Sequence, residues 1–431
     1  MKEGISVKEK FETYKNVAPI PCHNFHGVLC KMEGMGIDMR TKLILKFLLP
    51  LIIIGLVITG CGGGADNQAV KQAVSSVSNT EAVSTAQNQE KSSATATGSD
   101  LKTRAYTDMA GRTVNIPAQI NKVYTTSQIG IIVLYSLNPD KLAGWGFALN
   151  ENDKQFIDEK YHGLPVLGTW SGKNGTGNIE EIIRVHPDII LSIGTIDDSQ
   201  KTLSDKIQEQ TGIPVVMIDG PLEKLDKMYE AVGEIMGEQD RAKVLADYCT
   251  DTISGIKALT DKIPQDKRVK VYYAEGAKGL ETDPKGSFHT EVLDFVNGIN
   301  VADVPMQSGY GRTAVSLEQL LKWNPEVIIA GYDKDAKAGF FKDVYATPEW
   351  MGIKAVKNKR VYSIPYRPFD WFDRPPSVNR IIGVKWLANL LYPEYVKLDM
   401  VKEVKDFYKL FYHKELADQE INELLSGAGG K

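Results

Sequence analysis

Two stretches of the chain, 138 residues apart, repeat one spacing: Asn178-x-Glu180 followed by Pro187-Asp188, and Ser316-x-Glu318 followed by Pro325-Glu326. In each, a small polar residue opens a short amphipathic helix, and the Pro–acid pair starts an apolar strand, Ile189-Ile190 or Val327-Ile328. Asn and Ser cap helices by accepting a hydrogen bond from a first-turn N–H, and a carboxylate in that turn faces the positive end of the helix dipole. Ile179, Ile182 and Ile183 match Leu317, Leu320 and Leu321, which predicts one buried face on each helix. A helix-then-strand unit occurring twice points to two similar α/β lobes, with Glu180 and Glu318 exposed at two helix starts.

The rest of the folded region fits that frame. Tyr106-Thr107-Asp108-x-x-Gly111-Arg112-x-Val114-x-Ile116 has period-two apolar positions around a turn, an opening hairpin. Lys122 to Ser127, Leu142 to Gly146, Asp188 to Ser192 and Val215 to Asp219 read as first-lobe strands. A helix precedes the last of them and stops at Gly212-Ile213-Pro214. Strand, helix, strand in that order implies parallel pairing. From Leu222 to about Ile263 the periodicity is helical without a proline, so one long helix, or two end to end, links the lobes. The second lobe repeats strands at Val269 to Tyr273, Val327 to Ala330 and Val361 to Ile364, and ends in helices at Val378 to Leu391, Val401 to Phe411 and Asp418 to Leu425. The expected organisation is a first lobe at 104–220, a helical linker at 221–264 and a second lobe at 265–431. The fold class is α/β, two Rossmann-like lobes joined by a long rigid helix.

Residues before this region read as address. Met39-Arg40-Thr41-Lys42 opens a basic start, and Phe47 to Thr59 is an apolar run too short for a bilayer, which takes about 20 residues. It ends in Ile58-Thr59-Gly60-Cys61, the pattern of a bacterial lipobox, in which the Cys is diacylated and becomes the new N-terminus. Residues 39–60 are therefore expected to be a lipoprotein signal peptide and Cys61 the lipidation site. Residues 1–38 sit awkwardly ahead of a secretory signal, so the natural start is expected near Met39, with Met32 and Met35 as the other options. Residues 61–103, rich in Gly, Ser, Thr, Ala, Asn and Gln, form a flexible tether. The expected location is the extracytoplasmic face of the cell membrane, on a lipid anchor.

Composition removes several classes. The chain has 51 basic and 55 acidic residues; without its first 60 residues, 43 face 50, a mildly acidic balance unlike a nucleic-acid surface. Once Cys61 is acylated, Cys249 is the one cysteine left beyond it, so no intrachain disulfide forms. Gly-x-Ser-x-Gly, Gly-x-x-x-x-Gly-Lys-Ser/Thr and His-Glu-x-x-His are absent from the sequence, which argues against an enzyme.

The ordered set Asp108-x-x-Gly111-Arg112-x-Val114, Asn178-x-Glu180 with Pro187-Asp188, Gly212-Ile213-Pro214-Val215, the helical linker, Ser316-x-Glu318 with Pro325-Glu326, and Val356-Lys357-Asn358-Lys359-Arg360-Val361-Tyr362 resembles the binding proteins that deliver ferric siderophores, haem and cobalamin to ABC importers. The resemblance covers roughly residues 104–427. It implies a monomeric receptor without a cofactor or resident metal, whose partners are a small-molecule metal chelate and a permease dimer with its ATPase. In that family the Glu of each motif pairs with permease arginines, a docking role that falls here on Glu180 and Glu318. The implied ligand is an iron(III)-siderophore, with cobalamin, haem or a nickel or cobalt chelate as alternatives; a free-metal-ion receptor and a cleft hydrolase are the competing classes.

A chelated metal presents an anionic or flat aromatic surface, so its site calls for Arg and for Trp or Tyr. Such residues are dense in Tyr366-Arg367-Pro368-Phe369-Asp370-Trp371-Phe372-Asp373-Arg374, a loop between a strand and a helix at the carboxyl edge where α/β proteins bind ligands. Arg367, Trp371 and Arg374 are candidate ligand contacts. Strand ends supply Trp145 and Tyr273, and two Gly-rich loops supply Trp170 and the pair Tyr310 and Arg312. His289, at a helix start, is a further candidate because some siderophore-binding relatives place a His there; a solvated or hydrogen-bonded imidazole is its plainer reading.

Overall fold

A computed structural model describes residues 102–170, 175–306, 312–331 and 340–426, all within one compact unit. The candidates Cys61 and Tyr310, the signal peptide and nearly all of the tether lie outside the described residues. Among the described residues, no helix is long and apolar enough to cross a membrane.

Strands β1 (Thr103–Thr107) and β2 (Thr113–Pro117) form the opening antiparallel ribbon, with Tyr106 opposite Val114. Its turn is closed by Asp108, whose Oδ1 accepts from the backbone N–H of Ala110 at 3.0 Å and of Arg112 at 2.9 Å. The Arg112 guanidinium bonds Asp108 Oδ2 at 2.8 Å and the Val215 carbonyl at 2.7 Å. The Asp-x-x-Gly-Arg motif is thus a clip that pins the ribbon to the first sheet, and Gly111 supplies its positive φ of 79°.

That sheet is parallel, in the order β3 (Val123–Thr125), β4 (Ile189–Gly194), β5 (Val215–Asp219). Helix α1 (Gln128–Leu137) follows β3, α2 (Ile179–Val185) precedes β4, and α3 (Asp198–Thr211) crosses from β4 to β5. Leu142 to Gly146, expected as a strand, makes only isolated bridges: a Cβ on Gly144 would lie 2.4 Å from the Pro165 carbonyl oxygen, so the chain is pressed against a loop instead of a ladder.

The linker is two helices, α4 (Leu225–Met236) and α5 (Gln239–Thr260), and they do not run end to end. Gly237, at φ 71°, ends the first, and a Cβ on Gly233 would lie 2.2 Å from that of Ala242. Residues nine apart on one straight helix stand about 13 Å apart along its axis, so the pair folds back on itself.

The second sheet is also parallel, in the order β11 (Val361–Ser363), β10 (Val327–Ala330), β6 (Lys270–Ala274), β8 (Ile299–Asn300). A small antiparallel ribbon, β7 (Glu281–Thr282) with β9 (Thr313–Ala314), stands beside it. Helix α6 (Glu291–Phe295) leads into β8, and α7 (Leu317–Trp323) precedes β10.

The sheets alternate in a way that organises the molecule. Ile189, Leu191, Ile193, Val216 and Ile218 of the first sheet share one continuous core with Val271, Tyr273, Val327 and Ile329 of the second. On the opposite faces, Ile190 and Val215 pack with Ile182 of α2, and Tyr272, Ile328 and Val361 with Leu320 of α7. The last helices, α8 (Arg380–Leu391), α9 (Met400–Phe411) and α10 (Asp418–Ser426), also join the shared core. Although expected within the second lobe, they reach the first: Tyr408 packs on Phe156 at 5.6 Å between ring centroids, and Tyr412 on Tyr135 at 6.1 Å.

Both copies of the repeated unit have the same local logic. Asn178 and Ser316 cap α2 and α7 through the N–H groups of Glu181 and Gln319, both at 3.2 Å. His186 and Asn324 end them in left-handed backbone. Asp188 and Glu326 then accept from the N–H at the entrance of the neighbouring strand, Lys122 at 2.9 Å and Lys270 at 3.2 Å. One expectation fails in both copies: Ile182 and Leu320 are buried, but Ile183 and Leu321 remain 38% and 40% exposed. A two-turn helix resting on a sheet face buries one central residue and leaves its neighbour outside.

Helix α8 is seated against the loop of residues 366–374 through Gly383, where an added Cβ would lie 1.8 Å from the Trp371 carbonyl oxygen. Helix propensity alone favours Gly383→Ala by about 1 kcal/mol. Because the obstacle is backbone, we expect the substitution instead to destabilise by about 1–3 kcal/mol in urea unfolding; a more stable protein would contradict this packing.

Candidate ligand site

Register brings the carboxyl ends of β6 and β10 side by side, with Ala274 opposite Ala330, so the next residues, Glu275 and Gly331, enter the same edge. The ribbon of β7 and β9 delivers Glu281, Asp283 and Arg312 to that edge, and the loop after β11 delivers Asp370, Asp373 and Arg374. A concavity results, lined by Tyr273, Glu275, Gly276, Arg312, Gly331, Asp370 and Arg374.

Its charges are interlocked. Glu275 Oε1 accepts from Nε of Arg312 at 2.9 Å and from Nε of Arg374 at 2.5 Å. Nη2 of Arg374 donates to Asp283 Oδ2 at 2.6 Å, and its Nε lies 3.4 Å from Asp373 Oδ2. Asp373 Oδ1 meets Nδ1 of His289 at 2.6 Å. Asp370 Oδ1 accepts the backbone N–H of Phe372 at 2.7 Å and of Asp373 at 3.0 Å, a tight turn that aims the following residues inward. Glu275, Asp283, Asp370 and Asp373 are all buried, whereas the Arg312 and Arg374 side chains keep 30% and 20% of their surface. Two guanidiniums at the cleft are thus held from behind by buried carboxylates, which fixes them at the cost of desolvating the acids.

The acids register that crowding. Burial pushes the Asp370 carboxyl up to about 8, with the charges of Asp373 and Glu275 adding to it against the two backbone N–H bonds. Asp283 is raised as well, by burial first and then by its hydrogen bond with Glu275 and that group's charge. For Arg374, burial acts downward, but Asp373 and Glu275 outweigh it and strengthen its hold on the proton.

Of the residues singled out from sequence, Tyr273, Arg312 and Arg374 meet at this concavity, and His289 stands behind it against Asp373. Trp145 and Trp371 do not reach the cleft. Both are in the core, because their indole N–H groups are satisfied inward, Trp145 by the Tyr161 carbonyl at 2.8 Å and Trp371 by the Tyr408 hydroxyl at 3.3 Å. Trp170 is half-buried and packs edge-on against Tyr124 at 5.6 Å. Arg367 donates to the Tyr366 carbonyl at 3.1 Å and lies over that ring. Glu180 and Glu318 are exposed in the first turns of α2 and α7. Sequence reasoning gave no role to Asp283, Asp370 and Asp373; two acids set among Phe369, Trp371 and Phe372 were the available signal, since a carboxylate in an apolar run needs a partner.

The fold is a two-lobed α/β one, with this concavity at the edge of its second sheet. Residues 123–368 match the family model for periplasmic binding protein, and the chain belongs to that family. Its members are substrate-binding proteins of ABC transporters, not enzymes, and carry no cofactor. An ABC transporter solute-binding protein from Sulfurospirillum deleyianum is 31% identical, with a TM-score of 0.69 over 75% of this chain and 99% of that one. The molybdate-binding protein MolA of Haemophilus influenzae is 26% identical over 73% of this chain and 92% of its own length. The high-affinity heme uptake system protein IsdE of Staphylococcus aureus is 26% identical over 49% of this chain and 70% of its own length.

The raised acids carry a sign for stability. An Asp with a folded-state pKa above its unfolded value favours the fold fully below the unfolded pKa, near 4, and loses that contribution as pH rises through the folded one. We therefore expect the melting temperature to fall between about pH 4 and 8 and to level off above, and Asp370→Asn, which keeps the accepting Oδ1, to flatten that fall. An unchanged slope in the variant would contradict the burial argument.

Proposed function

We propose that the protein is a lipid-anchored receptor of an ABC importer that captures an anionic, metal-containing solute at Arg312 and Arg374 and docks on a permease dimer through Glu180 and Glu318. The observation that carries this reading is the pair of guanidiniums sharing one oxygen of buried Glu275 at the cleft floor. Fixed guanidinium forks suit oxyanions and carboxylates. The ligand first expected, a ferric siderophore, calls for broad aromatic walls. With Trp145 and Trp371 in the core, a compact oxyanion of the molybdate kind fits the floor better, in keeping with the MolA likeness over 92% of that protein.

The docking half of the proposal rests on the matched geometry of α2 and α7. Glu318 stays ionised, held down by its own backbone N–H and the Ser316 hydroxyl. Beside each Glu, at i+3, stands one exposed apolar side chain, Ile183 or Leu321.

Calorimetric titration of the purified protein with molybdate, tungstate, sulfate, ferric siderophores and haem tests the cargo. We expect a metal oxyanion to bind, and Arg312→Gln to lose about 1.5–3 kcal/mol, roughly 10- to 100-fold in affinity; binding of siderophore or haem alone would overturn the choice. Reversing Glu180 and Glu318 to Lys should abolish uptake by the native cells with affinity unchanged. Cys61→Ala should release the protein from the membrane fraction. Normal uptake in the first case, or membrane retention in the second, would contradict the corresponding part.

A further inference from the structure

Behind the two guanidiniums lies a group of donors that anion capture does not use. Asp283, His289 and Asp373 are all buried, and one donor atom from each lies within 4.8 Å of the others. Donors around an ion bound at about 2.1 Å stand roughly 3–4 Å apart, so small side-chain shifts suffice to close the set. The cluster is also short of partners. Oε2 of Glu275, on a residue 3% exposed, makes no hydrogen bond; Asp373 Oδ2, on a side chain with no exposed surface, makes none either, although Nε of Arg374 lies 3.4 Å away. Buried carboxylate oxygens are costly without a donor or a cation.

Charge gives the same answer independently. Glu275, Asp283, Asp370 and Asp373 face Arg312 and Arg374, four carboxyl groups against two guanidiniums. The apolar packing nearby, with Tyr273 against Phe372 at 4.7 Å between ring centroids, keeps the local dielectric low and makes that surplus expensive. Protons on two of the acids are one remedy; a divalent ion is the other.

We propose that Asp283, His289 and Asp373, with Glu275 at their edge, form a divalent-cation site in the wall of the second lobe, behind the cleft floor. Two carboxylates with one imidazole suit a borderline ion of the Mn2+, Fe2+ or Zn2+ type better than Mg2+ or Ca2+, which prefer all-oxygen sets. An ion there takes over Asp283 and Asp373 from Arg374, whose guanidinium keeps its bond to Glu275.

The test uses untagged protein stripped with chelator and holding no anion, so that its failure is separate from failure of the anion reading. MnCl2 and ZnCl2 are titrated calorimetrically at pH 7.5 into the wild type, Asp283→Asn and Asp373→Asn, with circular dichroism confirming each fold. We expect 1:1 binding in the wild type and a loss beyond 100-fold in each variant, more than the roughly 10- to 100-fold that an outer-sphere partner is worth. No wild-type binding below millimolar ion, or unchanged affinity in folded variants, overturns the proposal. Anomalous diffraction at the Mn and Zn edges is independent of the variants: a peak among Asp283, His289 and Asp373 supports the site, and peaks only elsewhere refute it.

Discussion

The inner faces of two separate parallel sheets bury their side chains in one apolar core, and the rest of the molecule is arranged around that fact. Period-two alternation sends Leu191 and Val216 from one sheet, and Val271 and Ile329 from the other, into the same interior, while Ile190 and Ile328 turn outward to small cores of their own. Folded-back α4 and α5 and the aromatic face of α9 fill the space between. Lobes that share a core cannot swing apart without exposing it, at about 25 cal/mol for each Å2 of apolar surface uncovered. The structure therefore favours a receptor whose site is largely preformed.

A preformed site is where buried ionic networks are useful. Holding Arg374 with Glu275 and Asp283 adds little stability, since desolvation of the charges offsets their attraction. It does fix the direction of a long, otherwise mobile side chain before the ligand arrives, which lowers the ordering cost of binding. The same crowding raises the Asp370 and Asp283 carboxyls and leaves Oε2 of Glu275 without a hydrogen bond, at the sheet edge for which we propose both anion capture and a cation site.

The repeated Asn/Ser-x-Glu and Pro–acid spacing was legible because each of its residues acts locally: a cap, a first-turn carboxylate, a left-handed stop, and an acid that accepts from the neighbouring strand. The parallel sheets were legible too, since fully buried strands read as unbroken apolar runs such as Ile189-Ile190-Leu191. Three things were not. The reversal at Gly237 depends on Gly233 meeting Ala242, a tertiary contact. The inward turn of Trp145 and Trp371 depends on hydrogen-bond partners distant in sequence, Tyr408 for the second. The acidic cluster joins Glu275, Asp283, Asp370 and Asp373 from three segments, and no spacing announces that they converge.

The central claim is that a metal-bearing anion is held between Arg312 and Arg374 at the edge of the second sheet. Crystals of the protein grown with molybdate, measured at the molybdenum absorption edge, test it most directly. The account predicts one strong anomalous peak within hydrogen-bonding reach of both guanidiniums, beside Tyr273 and Gly331. A peak only outside this concavity, or none at saturating molybdate, would contradict it.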